Sequence, residues 1–142
     1  MSVYADTSFV VSLYLSDSNS NDAAKQMVKL PTPLLLSSLG ELELTNAIRL
    51  HVFRKEILET DHLAALASFR SDVESGIFAI KLMSELIYAE ARRLSARWSG
   101  TLGTRSLDIL QVASAIVLQA DSFLTFDARQ KRLAKAAGLV CR

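Results

Sequence analysis

The amino-acid sequence predicts an α/β protein with a parallel sheet, folded as a single domain over residues 1–142. Apolar segments of strand length alternate with longer amphipathic segments, which is typical of a parallel sheet connected by helices. Three aspartates, Asp6, Asp108 and Asp127, lie where helices are predicted to begin. We expect one domain, because 142 residues is close to the usual domain size of about 100–150 residues.

Five short apolar segments are the predicted strands. They are residues 2–5, 34–37, 77–80, 122–125 and, as an edge strand, 139–141. Pro31 and Pro33 interrupt the chain before the second strand, and Gly76 makes the turn into the third. Strand and helix are therefore expected to alternate along most of the chain.

Seven helices are predicted, most of them starting at a residue that can cap a helix N-terminus. They begin at Asp6, after the polar loop 16–21, at Ser38 or Gly40, at Thr60, at Ser84, at Ser106, and at Asp127 or Ala128. The second, third, fifth and last end near Lys29, Arg54, Trp98 and Gly138. In the helix that begins at Thr60, the side chains expected to pack inward are Leu63, Leu66, Ala67 and Phe69. Residues 99–104 are expected to form the most flexible loop.

Two of the aspartates lie in the most informative stretch of the chain, residues 104–127. Ser106 is the predicted N-cap of an apolar helix, and Asp108 lies in its first turn. Asp127 follows the strand at 122–125 and caps the last helix. Each aspartate alone is better explained as a cap or first-turn acid, which stabilises a helix by about 0.5–2 kcal/mol. Together they favour a metal site, because open α/β sheets bind ligands at the carboxyl edge of their strands.

A fourth acid, Glu43, lies on the third predicted helix. On a helical wheel it falls on a mostly apolar face, with Leu39, Leu42, Asn46, Ala47 and Leu50. A lone carboxylate on such a face is costly unless it is paired or bound to a metal. Glu41 falls near Ile48 and Val52, so the wheel alone does not choose between the two glutamates.

The composition limits the possible functions. The formal net charge of +1 gives no overall basic bias, so nucleic-acid binding must depend on local clusters. Hydrophobic residues make up 50% of the chain, which favours an oligomer or a face covered by a partner. The single cysteine, Cys141, suits a reducing compartment, and the apolar run at 9–15 is too short to span a bilayer. We expect a cytoplasmic protein without a targeting segment.

Basic residues on both sides of the acidic stretch are candidates for holding RNA phosphates. They are Arg92, Arg93, Arg97, Arg105, Arg129, Lys131 and Arg132. We select Arg97, Arg105 and Arg129, although helix surfaces often carry such charges without a binding role. His51 and His62 are predicted to be surface or packing residues rather than ligands. Residues 100–103 contain two glycines but lack the lysine of a phosphate-binding loop.

Four short segments of the chain together carry a family resemblance. They are VYADTS at 3–8, the pattern E-x-x-N-A at 43–47, RSLD at 105–108 with VASA at 112–115, and LTFD at 124–127. In this order and spacing the chain resembles the PIN-domain nucleases, and within them the VapC toxins of toxin–antitoxin modules. The E-x-x-N-A pattern favours Glu43 over Glu41. Gln111 departs from the many relatives with histidine there, and we expect this to matter little because the position is not an acidic ligand.

The resemblance implies a PIN-like three-layer α/β/α fold with a central parallel sheet of four or five strands. It also implies that the catalytic and metal-binding residues are Asp6, Glu43, Asp108 and Asp127, gathered around Mg²⁺ or Mn²⁺. The side chains implied to support them through hydrogen bonds are Thr7, Ser8, Asn46 and Thr125. Mg²⁺ prefers hard oxygen ligands. Without a metal, clustered carboxylates repel one another, so the pKa of one or more should be raised.

The implied function is a metal-dependent endoribonuclease, the toxin of a type II toxin–antitoxin system, in which metal-activated water hydrolyses RNA phosphodiester bonds. The implied partners are RNA, a cognate VapB-like antitoxin and a second copy of the chain in a homodimer, with a higher assembly on antitoxin binding and no membrane. One alternative is an aspartate-based phosphatase or receiver-type protein, but Ser8 stands where a dehalogenase-type site needs a second aspartate. The other is a binding-only PIN domain, which normally has lost acids that this chain keeps.

Overall fold

The computed structural model describes residues 1–142 and contains one five-stranded parallel sheet. The strands are β1 Val3–Ala5, β2 Leu34–Ser37, β3 Phe78–Lys81, β4 Ser122–Leu124 and β5 Val140–Cys141. Their order in the sheet is β3-β2-β1-β4-β5, and every neighbouring pair is parallel. The predicted α/β fold with a parallel sheet is confirmed, and the predicted edge strand is its fifth strand.

Eight helices cover the sheet. They are α1 Thr7–Tyr14, α2 Ser20–Met27, α3 Ser38–Phe53, α4 Glu59–Glu74, α5 Glu85–Leu94, α6 Gly100–Leu102, α7 Ser106–Val117 and α8 Ala128–Ala136. A π-helical turn, Ser95–Ser99, joins α5 to the single turn α6. The chain is thus helical through much of the predicted loop 99–104, and the helix ends at Gly103, whose φ of 63° is a left-handed conformation that suits glycine. None of the helices combines the length and the apolar character that crossing a bilayer requires.

The central strand β1 contributes to a core on both faces of the sheet. Val3 and Ala5 point into one core with Phe9, while Tyr4 points into the other. The Tyr4 ring stacks on Phe123 of the neighbouring strand, with ring centroids 5.6 Å apart. Because successive side chains of a strand alternate, a strand buried on both faces requires a helical layer on each side. This arrangement is the predicted three-layer architecture.

The prediction for α4 is correct for Leu66 and Phe69, which are buried, but wrong for its start and for Leu63 and Ala67. The N-cap position is Leu58 rather than Thr60, because the Asp61 carboxylate accepts a hydrogen bond of 2.8 Å from the Leu58 backbone N–H. The buried side chains are His62, Ala65, Leu66 and Phe69, which follow the helical spacing, whereas Leu63 and Ala67 are exposed. The burial of His62 agrees with its interpretation as a packing residue.

The strand order positions the site. From β1 the chain passes to β2 and β3 on one side, then crosses through α5 and α7 to β4 and β5 on the other. The carboxyl ends of β1 and β4 therefore meet where the direction of winding reverses. In open α/β sheets this point forms a crevice between the loops that follow the two strands.

Candidate functional site

A polar pocket opens at the crevice that follows β1 and β4. Its volume is about 230 Å³ and none of its lining residues is hydrophobic. The lining residues are Asp6, Thr7, Ser8, Glu43, Arg105, Asp108, Gln111, Asp127 and Gln130. Residues from α1, α3, α7 and α8 thus converge here, and all four predicted carboxylates are among them.

Asp6 directly follows β1 and is the N-cap of α1, where its side chain is only 3% exposed. Its Oδ1 accepts hydrogen bonds from Ser8 Oγ at 2.7 Å and from the Phe9 backbone N–H at 3.1 Å. Its Oδ2 accepts a hydrogen bond of 2.5 Å from Thr125 Oγ1. Burial raises the pKa of Asp6 to about 6, against the lowering effect of these hydrogen bonds, and the nearby charge of Asp127 raises it further.

Ser8 and Thr125 also tie the two sides of the crevice together. The Phe126 backbone N–H donates to Ser8 Oγ at 2.9 Å, and the Asp127 backbone N–H donates to Thr125 Oγ1 at 3.0 Å. The turn after β4 is therefore attached to the same hydroxyl groups that hold Asp6. Thr7 lies in the pocket wall.

Asp127 is both a helix cap and a pocket residue. Its Oδ1 accepts hydrogen bonds from the backbone N–H groups of Arg129 at 2.8 Å and Gln130 at 3.0 Å, which caps α8 as expected. Capping uses a single carboxylate oxygen, and no protein group donates to Oδ2. The capping interpretation and the ligand interpretation of this residue are thus compatible.

Asp108 faces the pocket from the first turn of α7, with its side chain 17% exposed. Arg105 Nε donates to its Oδ2 at 3.1 Å, from a guanidinium group that is largely in solvent. The hydrogen bond and charge of Asp108 raise the pKa of Arg105, and the charges of Asp127 and Glu43 act in the same direction. The predicted N-cap Ser106 is wrong: Arg105 holds the extended N-cap conformation, and Ser106 is the first helical residue.

Glu43 reaches the pocket from the edge of α3 rather than from its buried face. That face consists of Gly40, Leu44 and Ile48, so the wheel-based face containing Leu42 and Leu50 is wrong. Gln111 Nε2 donates to Glu43 Oε1 at 2.6 Å. Partial burial raises the pKa of Glu43, while this hydrogen bond lowers it and the charge of Asp108 raises it.

Two pocket residues, Gln111 and Gln130, are absent from the sequence-based site. Gln111 is 3% exposed and donates a hydrogen bond to Glu43, so it belongs to the pocket although it is not an acidic ligand. Its position one helical turn after Asp108 could have indicated this, because residues three apart share a helix face. Gln130 lies three residues after Asp127, and its Oε1 is buried without a hydrogen-bond partner.

Four predicted residues lie outside the pocket lining, and one of them, Thr125, still bonds to Asp6. Asn46 is on α3 beyond Glu43, with its side chain exposed. Arg97 is exposed and its guanidinium lies over the Trp98 ring, 5.1 Å from the centroid. Arg129 is exposed on the first turn of α8. Of the selected basic residues, only Arg105 lines the pocket.

The donor set of the pocket fits a hard divalent cation. The carboxylates, hydroxyls and amides offer oxygen ligands, the lining has no thiol or imidazole, and Arg105 is its one positively charged donor. No group of three or more aspartate, glutamate, histidine or cysteine side chains is arranged so that it could hold a metal ion. Mg²⁺ is compatible with this arrangement, because it usually keeps several waters and binds through one or two carboxylates.

The fold and the site together place this chain among the parallel α/β proteins that have an acidic pocket at the carboxyl edge of the sheet. The sequence profile of the PIN domain matches residues 3–136. This chain therefore belongs to the PIN-domain family, whose members are generally nucleases, and the family resemblance seen in the sequence is confirmed.

Solved structures with the same fold include two proteins that are each 17% identical to this chain. The VapC20 toxin of Mycobacterium tuberculosis, described as cleaving the sarcin–ricin loop, is 17% identical, with a TM-score of 0.73 over 98% of this chain and 97% of that chain. FitAcB from Neisseria gonorrhoeae is also 17% identical, with a TM-score of 0.69 over 98% of this chain and 95% of that chain. At this level of identity the likeness establishes the fold alone. Among curated proteins, none matches the chain significantly.

Proposed function

We propose that the protein is a Mg²⁺- or Mn²⁺-dependent endoribonuclease and the toxin of a type II toxin–antitoxin pair. The observation that carries the proposal is the convergence of Asp6, Glu43, Asp108 and Asp127 in a pocket without an apolar residue. Membership of the PIN-domain family supports nuclease chemistry. The VapC20 and FitAcB likenesses support the toxin assignment.

In this proposal the four carboxylates hold the cation, directly or through its waters. When bound, the cation polarises the scissile phosphate and lowers the pKa of a coordinated water. Asp6 is held in place by the fold, and Asp127 presents its free Oδ2. Arg105, which already faces three carboxylates, is placed to bind an RNA phosphate at the pocket mouth.

The surroundings of Asp6 argue against an aspartyl-phosphate mechanism, because a dehalogenase-type site needs a second aspartate two residues after the first. Ser8, which occupies the place of a second aspartate, donates to Asp6 and does not face it as another acid. A binding-only role is disfavoured because all four acids line the pocket.

The test compares two glutamates on the same helix. Glu43→Gln removes a charge from the pocket, whereas Glu41→Gln removes a charge from α3 outside it. We expect wild type and Glu41→Gln to cleave a panel of structured RNAs with Mg²⁺ or Mn²⁺ and to lose activity with a chelator. Glu43→Gln should be defective under all conditions. Equal activity of all three proteins, or full activity in the chelator, would overturn the metal-nuclease assignment.

The toxin assignment has a separate test in cells. Induced expression of wild type and of Glu41→Gln should arrest growth, expression of Glu43→Gln should not, and co-expression of the cognate antitoxin should restore growth. Growth arrest that is equal for Glu43→Gln would contradict toxicity through the pocket.

We further propose that the protein forms a homodimer, because large apolar side chains remain exposed on α3, on α5 and between β3 and α5. Phe53 is 82% exposed, Leu82 is 83% exposed and Leu86 is 70% exposed. Exposed apolar side chains of this size are typical of surfaces that a partner covers. Light scattering at micromolar concentration should give the mass of a dimer, and a monomer would contradict this part of the proposal.

A further inference from the structure

A buried chain of hydrogen bonds leads from the start of α3 through the core to Glu43. The Gly40 backbone N–H donates to Ser37 Oγ at 3.0 Å, and Ser37 Oγ lies 3.0 Å from the Tyr4 hydroxyl. Tyr4 donates to Gln111 Oε1 at 2.5 Å, and Gln111 Nε2 donates to Glu43 Oε1 at 2.6 Å. We call this path from Ser37 through Tyr4 and Gln111 to Glu43 the relay.

The directions of the hydrogen bonds in the relay follow from Glu43. A carboxylate can only accept, so the Gln111 amide presents its NH₂ group to Glu43 and its Oε1 to Tyr4. Gln111 Oε1 can also only accept, so the single hydrogen of the Tyr4 hydroxyl points to it. Ser37 Oγ accepts from the Gly40 N–H, and its own hydrogen then points to the Tyr4 oxygen.

The relay is rigid at its inner end. Tyr4 and Ser37 are 0% exposed, and the Tyr4 ring is stacked on Phe123. Gln111 Nε2 also lies 3.2 Å from Thr7 Oγ1, which connects the amide to the first residue of α1. Glu43, by contrast, lies on a half-exposed edge of α3. Its carboxylate has only two side-chain hydrogen-bond partners, this amide and Thr7. The core therefore controls the carboxylate through Gln111.

We propose that Gln111 is a positioning residue, and that the relay holds the Glu43 carboxylate in the orientation that binds the divalent cation. The inference rests on the proposed metal site and names a further residue for it. Groups that orient metal ligands typically change metal affinity by about 10–100-fold when they are removed. Glutamine suits the position because it has an acceptor for Tyr4 and a donor for Glu43 at the two ends of one planar group.

The test measures cation binding directly. Mn²⁺ is titrated into the purified full-length chain by calorimetry at neutral pH, for wild type, Gln111→Met, Tyr4→Phe and the double variant. Gln111→Met keeps the length of the side chain but removes its hydrogen bonds to Tyr4, Glu43 and Thr7. Tyr4→Phe removes a single hydroxyl that lies outside the pocket lining. Tyr14→Phe is the matched control, because it also removes a single tyrosine hydroxyl, which bonds to Asp72 outside both the pocket lining and the relay.

We expect Gln111→Met to weaken Mn²⁺ binding by about 10-fold or more and Tyr4→Phe to weaken it by a smaller factor. The double variant should bind no more weakly than Gln111→Met alone, because the two residues act through one path. Tyr14→Phe should bind Mn²⁺ like wild type even if its melting temperature falls.

Wild-type Mn²⁺ affinity in Gln111→Met or in Tyr4→Phe would overturn the relay, as would losses in the two variants that simply add. A fall in melting temperature without a change in Mn²⁺ affinity would mean a purely structural role and would also overturn it. The failure of the proposed function is recognised separately. In that case wild type itself does not bind Mn²⁺, or Glu43→Gln binds it as wild type does.

Discussion

Asp6 and Asp108 line the same pocket, but the protein holds them in opposite ways. Asp6 is 3% exposed and accepts hydrogen bonds from two hydroxyls and one backbone N–H. Asp108 is more exposed, and its one partner is Arg105, whose side chain is 64% exposed. The fold fixes the first carboxylate, whereas a solvated side chain orients the second.

The difference separates stability from binding in this pocket. Buried, hydrogen-bonded carboxylates are coupled to the free energy of unfolding, because their charge and their partners both change environment when the chain unfolds. A solvent-exposed ion pair contributes little to folding and exchanges easily. Changes around Asp6 should therefore affect stability and activity together, and changes around Asp108 should affect only binding and catalysis.

The largest expected effect is on catalysis. Asp6→Asn and Asp108→Asn should each reduce RNA cleavage by more than about 100-fold, because ligands should matter more than the groups that merely orient them. Urea denaturation of the metal-free proteins should separate the two: Asp108→Asn should unfold like wild type, and Asp6→Asn should not. Equal urea midpoints for all three proteins would remove the contrast between the two aspartates.

The pH dependence of stability provides the next test. The folded-state pKa of Asp6, about 6, lies above the unfolded value of 3.8, so the folded state binds more protons between these values. The contribution of Asp6 is therefore fully favourable below pH 3.8 and is lost as pH rises through about 6. This loss amounts to at most about 3 kcal/mol, at 1.36 kcal/mol per pKa unit.

Asp6→Asn should abolish this loss. Its unfolding free energy without metal should rise relative to wild type as pH increases from 4 to 7, on the order of 1–3 kcal/mol. The asparagine also alters the hydrogen bonds of the cap, but that offset does not depend on pH. The informative quantity is thus the slope, against pH, of the difference in unfolding free energy between Asp6→Asn and wild type. Parallel curves for the two proteins would show that Asp6 titrates normally.

A smaller effect is expected at Thr125, whose hydroxyl donates to Asp6 and accepts from the Asp127 backbone N–H. Thr125→Val keeps the shape but leaves both groups without this partner, which should cost about 1–3 kcal/mol of unfolding free energy. Thr125→Ser keeps the hydroxyl and is the matched control. If valine and serine variants had the same stability, the hydroxyl would have no part in holding Asp6.

The smallest effect is expected at Arg105, the exposed partner of Asp108. Arg105→Gln should leave the melting temperature unchanged and strengthen Mn²⁺ binding by a few-fold, because a competing positive charge is removed. Arg105→Gln should also weaken RNA binding. The slope of the logarithm of the RNA binding constant against the logarithm of salt concentration should become shallower by about one. A large loss of stability in this variant would mean that Arg105 and Asp108 form a structural pair.

Local rules account for what the sequence predicted well. Asp6 and Asp127 were predictable because a short apolar strand followed by a capping residue is a local pattern, and both do cap helices. The buried face of α3 was not predictable from the wheel, because packing against the sheet selects Gly40, Leu44 and Ile48. Propensity and periodicity do not contain that information.

The spacing from Asp108 could have placed Gln111 on the pocket face of α7, but its hydrogen-bond partners could not be predicted, for a similar reason. Its two partners, Tyr4 and Glu43, are 107 and 68 residues away in the chain. Only the order of the strands in the sheet brings Tyr4 and Glu43 to the face of α7 that carries Gln111. Long-range hydrogen bonds of this kind leave no periodic signal in the sequence, so a glutamine among apolar residues resembles an ordinary interruption.

The most direct test of the central claim is a crystal grown with Mn²⁺ and measured for anomalous scattering at the manganese edge. We predict an anomalous peak in the acidic pocket, within coordinating distance of at least one oxygen of Asp6, Asp108 or Glu43, and no such peak in Asp108→Asn. A crystal of wild type saturated with Mn²⁺ that has no peak in this pocket would contradict the account.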